Sequence, residues 1–195
     1  PSGPSQLVRQ LDEHTAEITV RAILPNDPET VPEQTPPGPA ELASNNLIQA
    51  DDPQIAELAE SVATDEKDRW QVCLALESWV HEGIVVKSFS QVFATAADVV
   101  RSREGDCTEH AVLLAALCRA RDIPARVVVG LVYSPRDRGF AFHIWDEVWV
   151  HDRWVPLDAT WGVGGIGAAH LKLKHAALSQ QDAGEAVRGV LTVLQ

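Results

Sequence analysis

The stretch Gly105–Tyr133, GDCTEHAVLLAALCRARDIPARVVVGLVY, decides the fold. Its first half is helical and apolar on every side from Ala111 to Cys118. A surface helix keeps a polar face, so this pattern predicts a central helix, Cys107–Arg121, buried all round. Pro124 ends it, because proline has no amide to continue the ladder. The period then changes. Arg126–Tyr133 carries four valines and reads as a strand buried on both faces.

Strand signals continue downstream. In Phe140–Val150 the residues Phe142, Ile144, Asp146, Val148 and Val150 alternate with His143, Trp145, Glu147 and Trp149. Asp152-Arg153 reads as a turn, and Trp154–Asp158 as the returning strand. A glycine cluster, Gly162–Gly167, follows. His170–Lys174 and Gly189–Leu194 are further candidate strands. Upstream the text is helical. Asp52-Pro53 is a cap followed by proline at the first helical position. Thr64 is a candidate cap for a second helix that Gly83 ends, and Thr95–Ser102 reads as a third. Helices first and consecutive strands after them predict an α+β fold, with helices packed on an antiparallel sheet.

The first forty residues differ. Ala16–Leu24 is strand-like, and Pro25–Pro39 carries six prolines, which excludes a helix or a central strand. Residues 1–40 are therefore expected to be a strand and an extended connector, the end of an upstream module, with a strand added to the main sheet as the alternative for residues 1–24. Residues 41–195 are expected to form the functional domain. The chain starts at Pro1 and contains no methionine, so it reads as an excised or processed fragment, and cellular location stays open.

Sixteen basic residues against 28 acidic ones give a net charge of −12. Such a surface repels phosphate backbones, so no nucleic-acid partner is expected. The longest uninterrupted apolar run, Ala111–Cys118, is far short of the roughly 20 residues a membrane span needs. Three cysteines cannot all pair, and a chain of this size needs no disulfide framework.

One cysteine has a special place. Cys107 opens the buried helix directly after Gly105-Asp106. A helix N-terminus offers unpaired amides and partial positive charge, a setting that favours thiolate and can stabilise an oxyanion. The glycine is read as the residue that lets the chain turn sharply into the helix. His143 and Asp158 lie in the next two strands. A hairpin about Asp152-Arg153 would set Asp158 opposite Glu147, with His143 further along the same strand. Thiolate as nucleophile, imidazole as base and carboxylate as its orienting group make a coherent set.

Three ordered blocks carry a resemblance: GDCTEHAVLLAALCRARDIPARVVVGLVY, then FHIWDEVWV, then WVPLDATWG. Together they resemble the transglutaminase-like superfamily, whose marks are a cysteine opening a helix, an H-x-W-x-E-type strand and a W-x-x-L-D-x-T-type strand. The match spans about residues 46–165. The resemblance implies a papain-like core in which a helix carrying the nucleophile packs on the antiparallel sheet carrying the other two groups. It implies Cys107 as nucleophile, His143 as base and Asp158 as orienting residue, in the manner of a bacterial transglutaminase-like cysteine protease domain. The implied activity is acyl transfer on amide bonds through a thioester. Peptide hydrolysis is favoured, and amine-dependent crosslinking of protein glutamine is the alternative. A protein or peptide substrate is the expected partner, with no metal and no organic cofactor. Ala159 stands where relatives often carry proline. Val85-Val86-Lys87 stands where many carry a tyrosine near the site, so only the Cys107 amide is expected as an oxyanion donor.

Simpler readings compete with each of these. A buried cysteine is often a small hydrophobe, and Cys73 and Cys118, on apolar helical faces, fit that role. His110 shares a helix face with Cys107, but Cys107, His110 and His143 do not form the paired-ligand pattern of zinc sites. Trp145, Trp149 and Trp154 are expected as packing residues, whereas Trp161, beside the glycine cluster, is the best cleft candidate. The reading from a different class is a non-catalytic peptide-binding module that retains the three residues.

Overall fold

We describe the protein from a computed structural model, over residues 2–3, 5–26, 34–86 and 94–178. The order of elements is β1 (Gln6–Gln10), β2 (Ala16–Val20), α1 (Pro53–Val62), α2 (Arg69–Gly83), α3 (Ala96–Ser102), α4 (Cys107–Ala120), β3 (Ala125–Ser134), β4 (Gly139–Val150), β5 (Arg153–Leu157) and β6 (His170–Ala176). After the hairpin of β1 and β2, helices α1–α4 precede strands β3–β6, and among the described residues every pairing of these strands is antiparallel. The fold is α+β.

The main sheet has the order β5-β4-β3-β6. Helix α4 lies at its centre, with Ala111 to Cys118 all buried, packed against Val127, Val129, Ile144 and Val148 from the sheet. α1, α2 and α3 all contact α4 as well. This explains why its sequence has no polar face: it has neighbours on every side. Cys73 of α2 and Cys118 of α4 are buried in that core. A hydrogen bond from the Cys118 thiol to Cys73, together with burial, pushes that thiol well up, so both behave as core residues.

The sequence misplaces two boundaries. Thr64 does not cap α2. Its hydroxyl turns back to the Glu60 carbonyl at 2.9 Å, and Asp68 is the cap, accepting from the Gln71 amide at 3.0 Å. The β4–β5 turn is His151-Asp152, with Val150 paired to Arg153. Both turn residues have positive φ, 50° and 58°. That is the backbone of a type I′ turn, whose twist matches the flanking strands. Moving the turn by one residue moves the register by two, so Asp146 pairs with Leu157, and Asp158 comes level with Trp145 rather than Glu147. A shift of two keeps every side chain on its face.

β1 and β2 form a separate hairpin. Gln6 joins it to the main sheet. Its side chain donates to the Lys172 carbonyl at 2.9 Å and accepts from the Lys172 amide at 2.8 Å, as a neighbouring strand would, and so covers part of the β6 edge. The connector docks on β5: Gln34 accepts from the Trp154 amide at 2.7 Å, and the Thr35 carbonyl accepts from the indole at 3.0 Å. The candidate strand Gly189–Leu194 and Lys87 lie outside the described residues.

Candidate active site

Cys107 is the first residue of α4 and is partly exposed. Asp106 caps the helix, taking the Thr108 amide at 2.8 Å and the Glu109 amide. Glu109 completes the capping box by accepting from the Asp106 amide at 3.0 Å, and its other oxygen accepts from the Ala94 amide at 3.2 Å. Glu109 therefore belongs to the helix start. Gly105 serves here by its size rather than by a left-handed backbone: a Cβ there would lie 2.3 Å from the Glu109 Cβ. His110 is buried, with Nδ1 against the Asp106 carbonyl.

His143 of β4 meets this helix start. β5 pairs with β4 only from Asp146 to Val150, so among the described residues that edge of β4 carries no strand at His143. Nε2 of His143 stands 2.7 Å from Asp158 Oδ2. Cys107, at the start of α4, also acts on this ring and raises its proton affinity. Burial alone would lower the proton affinity of His143. The hydrogen bonds to Asp158 and Cys107 outweigh it and push its pKa up to about 9. Burial would likewise raise Asp158, but hydrogen bonds from His143 and His170 hold its carboxyl well below the usual range.

Two residues that sequence reasoning did not single out support Asp158. His170, at the start of β6, is fully buried and places Nε2 3.1 Å from the same Asp158 Oδ2. Glu77 of α2, 2% exposed, accepts from the Asp158 amide at 3.3 Å through one oxygen and from the Gly164 amide at 2.9 Å through the other. Burial pushes Glu77 up to about 7 despite those two bonds. The glutamate thus ties α2 to the end of β5 and to the glycine cluster. Its only sequence mark was a charge inside an apolar helical stretch.

The His143 ring lies between two indoles, stacked on Trp145 at 6.2 Å and on Trp161 at 5.8 Å. Trp161 is 42% exposed, so it covers the imidazole and still meets solvent. Trp149 and Trp154 pack against one another at 5.4 Å, and Trp154 carries the Arg126 guanidinium on its face at 3.9 Å.

His143, Asp158 and His170 set three possible ligand atoms within 4.8 Å of one another. Ligands about 2.0–2.1 Å from a tetrahedral zinc stand about 3.3 Å apart. The 2.7 Å contact of His143 with Asp158 is shorter and suits a shared proton. The set reads as a hydrogen-bond network.

The model of the family described as the transglutaminase-like superfamily matches residues 56–159, which hold Cys107, His143 and Asp158. The chain belongs to the transglutaminase-like superfamily. Among solved structures it is similar to a candidate cysteine protease from Cytophaga hutchinsonii, with 25% identity and a TM-score of 0.61, covering 76% of this chain and 50% of that one. It is also similar to the periplasmic domain of TgpA from Pseudomonas aeruginosa bound to ethylmercury, with 23% identity and a TM-score of 0.48, covering 63% and 48%. The chain thus spans about half the length of these two structures. No curated protein matches the chain.

Proposed function

We propose that residues 41–195 form a cysteine-dependent acyl-transfer domain that hydrolyses peptide bonds, with residues 1–40 as a hairpin and connector ahead of it. The observation that carries this reading is the ring of His143, which stands 2.7 Å from Asp158 and has its proton affinity raised by both Asp158 and Cys107. In this scheme the Cys107 sulfur, its proton passed to His143, adds to the amide carbonyl carbon. The oxyanion is met by the Cys107 amide, which the Asp106 cap leaves unengaged among the described residues. The C–N bond then breaks, and the departing nitrogen takes the proton from His143, leaving a thioester. Water adds to the thioester as His143 accepts its proton. The acid leaves and the proton returns to sulfur. Asp158 orients the ring and stabilises its charged form. The likeness to the Cytophaga protein, described as a candidate cysteine protease, favours water over an amine as the acceptor.

The test is intact mass after brief iodoacetamide treatment between pH 5 and 10, on wild type, Cys107→Ala and His143→Ala. One addition is expected in wild type, none in Cys107→Ala, and an addition slowed by roughly tenfold or more in His143→Ala. A peptide library with and without a primary amine then separates hydrolysis from crosslinking. A Cys107 that reacts no faster than a free thiol, with His143→Ala unchanged, would leave a peptide-binding module as the reading.

A further inference from the structure

Asp158 holds two imidazoles on one oxygen. Oδ2 faces His143 Nε2 at 2.7 Å and His170 Nε2 at 3.1 Å, while Oδ1 accepts the Thr160 amide at 2.9 Å. The His170 side chain is fully buried. Its ring meets Trp161 edge-on at 4.9 Å and Trp145 edge-on at 5.1 Å. Among the described residues its Nδ1 has no hydrogen-bond partner. A proton on Nδ1 would be buried without an acceptor, which is costly, whereas a proton on Nε2 has Asp158 to receive it. His170 therefore carries its ring proton on Nε2 and acts as a donor.

We propose that His170 is a positioning residue that tempers Asp158: by donating to the oxygen that His143 uses, it draws charge from that oxygen and limits how tightly the His143 proton is held. Two donors on one oxygen divide its negative charge, so each bond is weaker than it would be alone. Around His143 the other titratable groups are Cys107 from α4 and Asp158 from the end of β5. Glu77 from α2 reaches the Asp158 amide, and the Lys172 ammonium, next along the same face of β6, is bound to Glu147. Each is common to wild type and to the variants below.

The catalytic consequence rests on the acyl-transfer reading. An imidazole that takes a proton from sulfur must later release it to the departing nitrogen, and a proton held too tightly slows that second step. His170 would keep the two steps in balance.

The test uses the full chain and follows the His143 ring by NMR between pH 5 and 10.5 in wild type, His170→Leu and His170→Gln. The wild-type midpoint is expected at about 9. Leucine removes the donor, and the midpoint is expected to rise by about half a unit or more. Glutamine supplies an amide N–H and is expected to bring it back toward wild type, which a mere space-filling role would not do. A folded His170→Leu whose midpoint is unchanged or lower, or a glutamine variant that behaves like leucine, overturns the proposal. The ring-nitrogen shifts of His170 in wild type need no variant to fold: the Nε2–H form is expected, and the Nδ1–H form overturns the proposal. Iodoacetamide rates on the same samples keep the two readings apart. A slow Cys107 reaction unaffected by His143→Ala sinks the catalytic reading alone, and a failed midpoint shift sinks the role of His170 alone.

Discussion

Gly130→Ala is expected to destabilise the protein through its effect on one tryptophan. Gly130 pairs with His143 on one side and with Lys172 on the other. A Cβ at this position would lie 2.2 Å from the Leu171 carbonyl oxygen and 2.5 and 2.8 Å from two ring carbons of Trp145. The carbonyl belongs to a paired strand and cannot swing aside. The indole is 2% exposed and has His143 and His170 as its ring neighbours. Overpacking of this kind costs about 1–3 kcal/mol. Three contacts below 3.0 Å, one of them with backbone, put the cost at the top of that range, about 3 kcal/mol. In a domain of this size each kcal/mol lowers Tm by about 2–4 °C, so the expected loss is about 6–12 °C. Thermal unfolding followed by far-UV circular dichroism measures it. Gly139→Ala is the control, because a Cβ there meets only the Asp137 carbonyl at 3.8 Å. If Gly130→Ala melts within about 2 °C of wild type, or if the control loses as much, the packing argument is wrong.

Asp158→Asn removes the charge that opposes burial at His143. The ring midpoint is expected to fall from about 9 toward or below its ordinary 6.5, and iodoacetamide addition at pH 7 by roughly tenfold or more. Glu77→Ala leaves the Asp158 and Gly164 amides without their acceptor. About 2–4 kcal/mol of stability is expected to go, read from urea unfolding, with a change in Trp161 fluorescence. Stability should also follow the His143 proton. Its pKa is raised on folding, so its contribution is complete below about 6.5 and is lost as pH rises through about 9. His143→Ala should therefore cost more at pH 6 than at pH 10 in the same urea assay. Asp158 has the opposite sign: its pKa is depressed, so its contribution is present above 3.8 and is lost in stronger acid.

What the sequence disclosed depended on how local each cause is. α4 was legible because its surroundings are written in its own residues, apolar on every side from Ala111 to Cys118. The start of α2 was not. Thr64 and Asp68 are both capping types, and the choice falls to Asp68 because the Thr64 hydroxyl turns back to Glu60. The His151-Asp152 turn was missed by one residue because neither residue is the glycine or asparagine that usually marks positive φ. Cys107, His143 and Asp158 stood out by their blocks. His170 did not, since the start of a strand after a glycine cluster says nothing about an aspartate twelve residues earlier. β5 and β6 lie at opposite edges of the sheet, and only the folded course of the chain beyond the end of β5 brings Asp158 within 3.1 Å of the His170 ring.

The same sheet face holds a second charged group close to the first, and the two have to be kept apart. Cross-strand pairing puts Arg126 beside Glu147, and His143 and Lys172 on either side of Gly130. Lys172 and Arg126 both bind the buried Glu147, at 2.6 and 2.7 Å. The two cations hold that carboxyl below its ordinary range even though burial would raise it. Asp158 could serve Lys172 as well as Glu147 does, and a lysine on Asp158 would displace the imidazoles and abolish the His143 proton shift. The ring of Trp145 fills the space over Gly130, between the two groups. With Val128 and Ile166 it forms a small apolar cluster separate from the main core. Glycine at position 130 is what makes room for that ring. The tryptophan in the H-x-W-x-E block thus has a physical reason to be large and apolar: on one face of β4 it stands between His143 and Glu147, and so between a histidine–aspartate pair and a lysine–glutamate pair. Replacing it with a small residue would be expected to disturb the protonation of His143 before it unfolded the sheet.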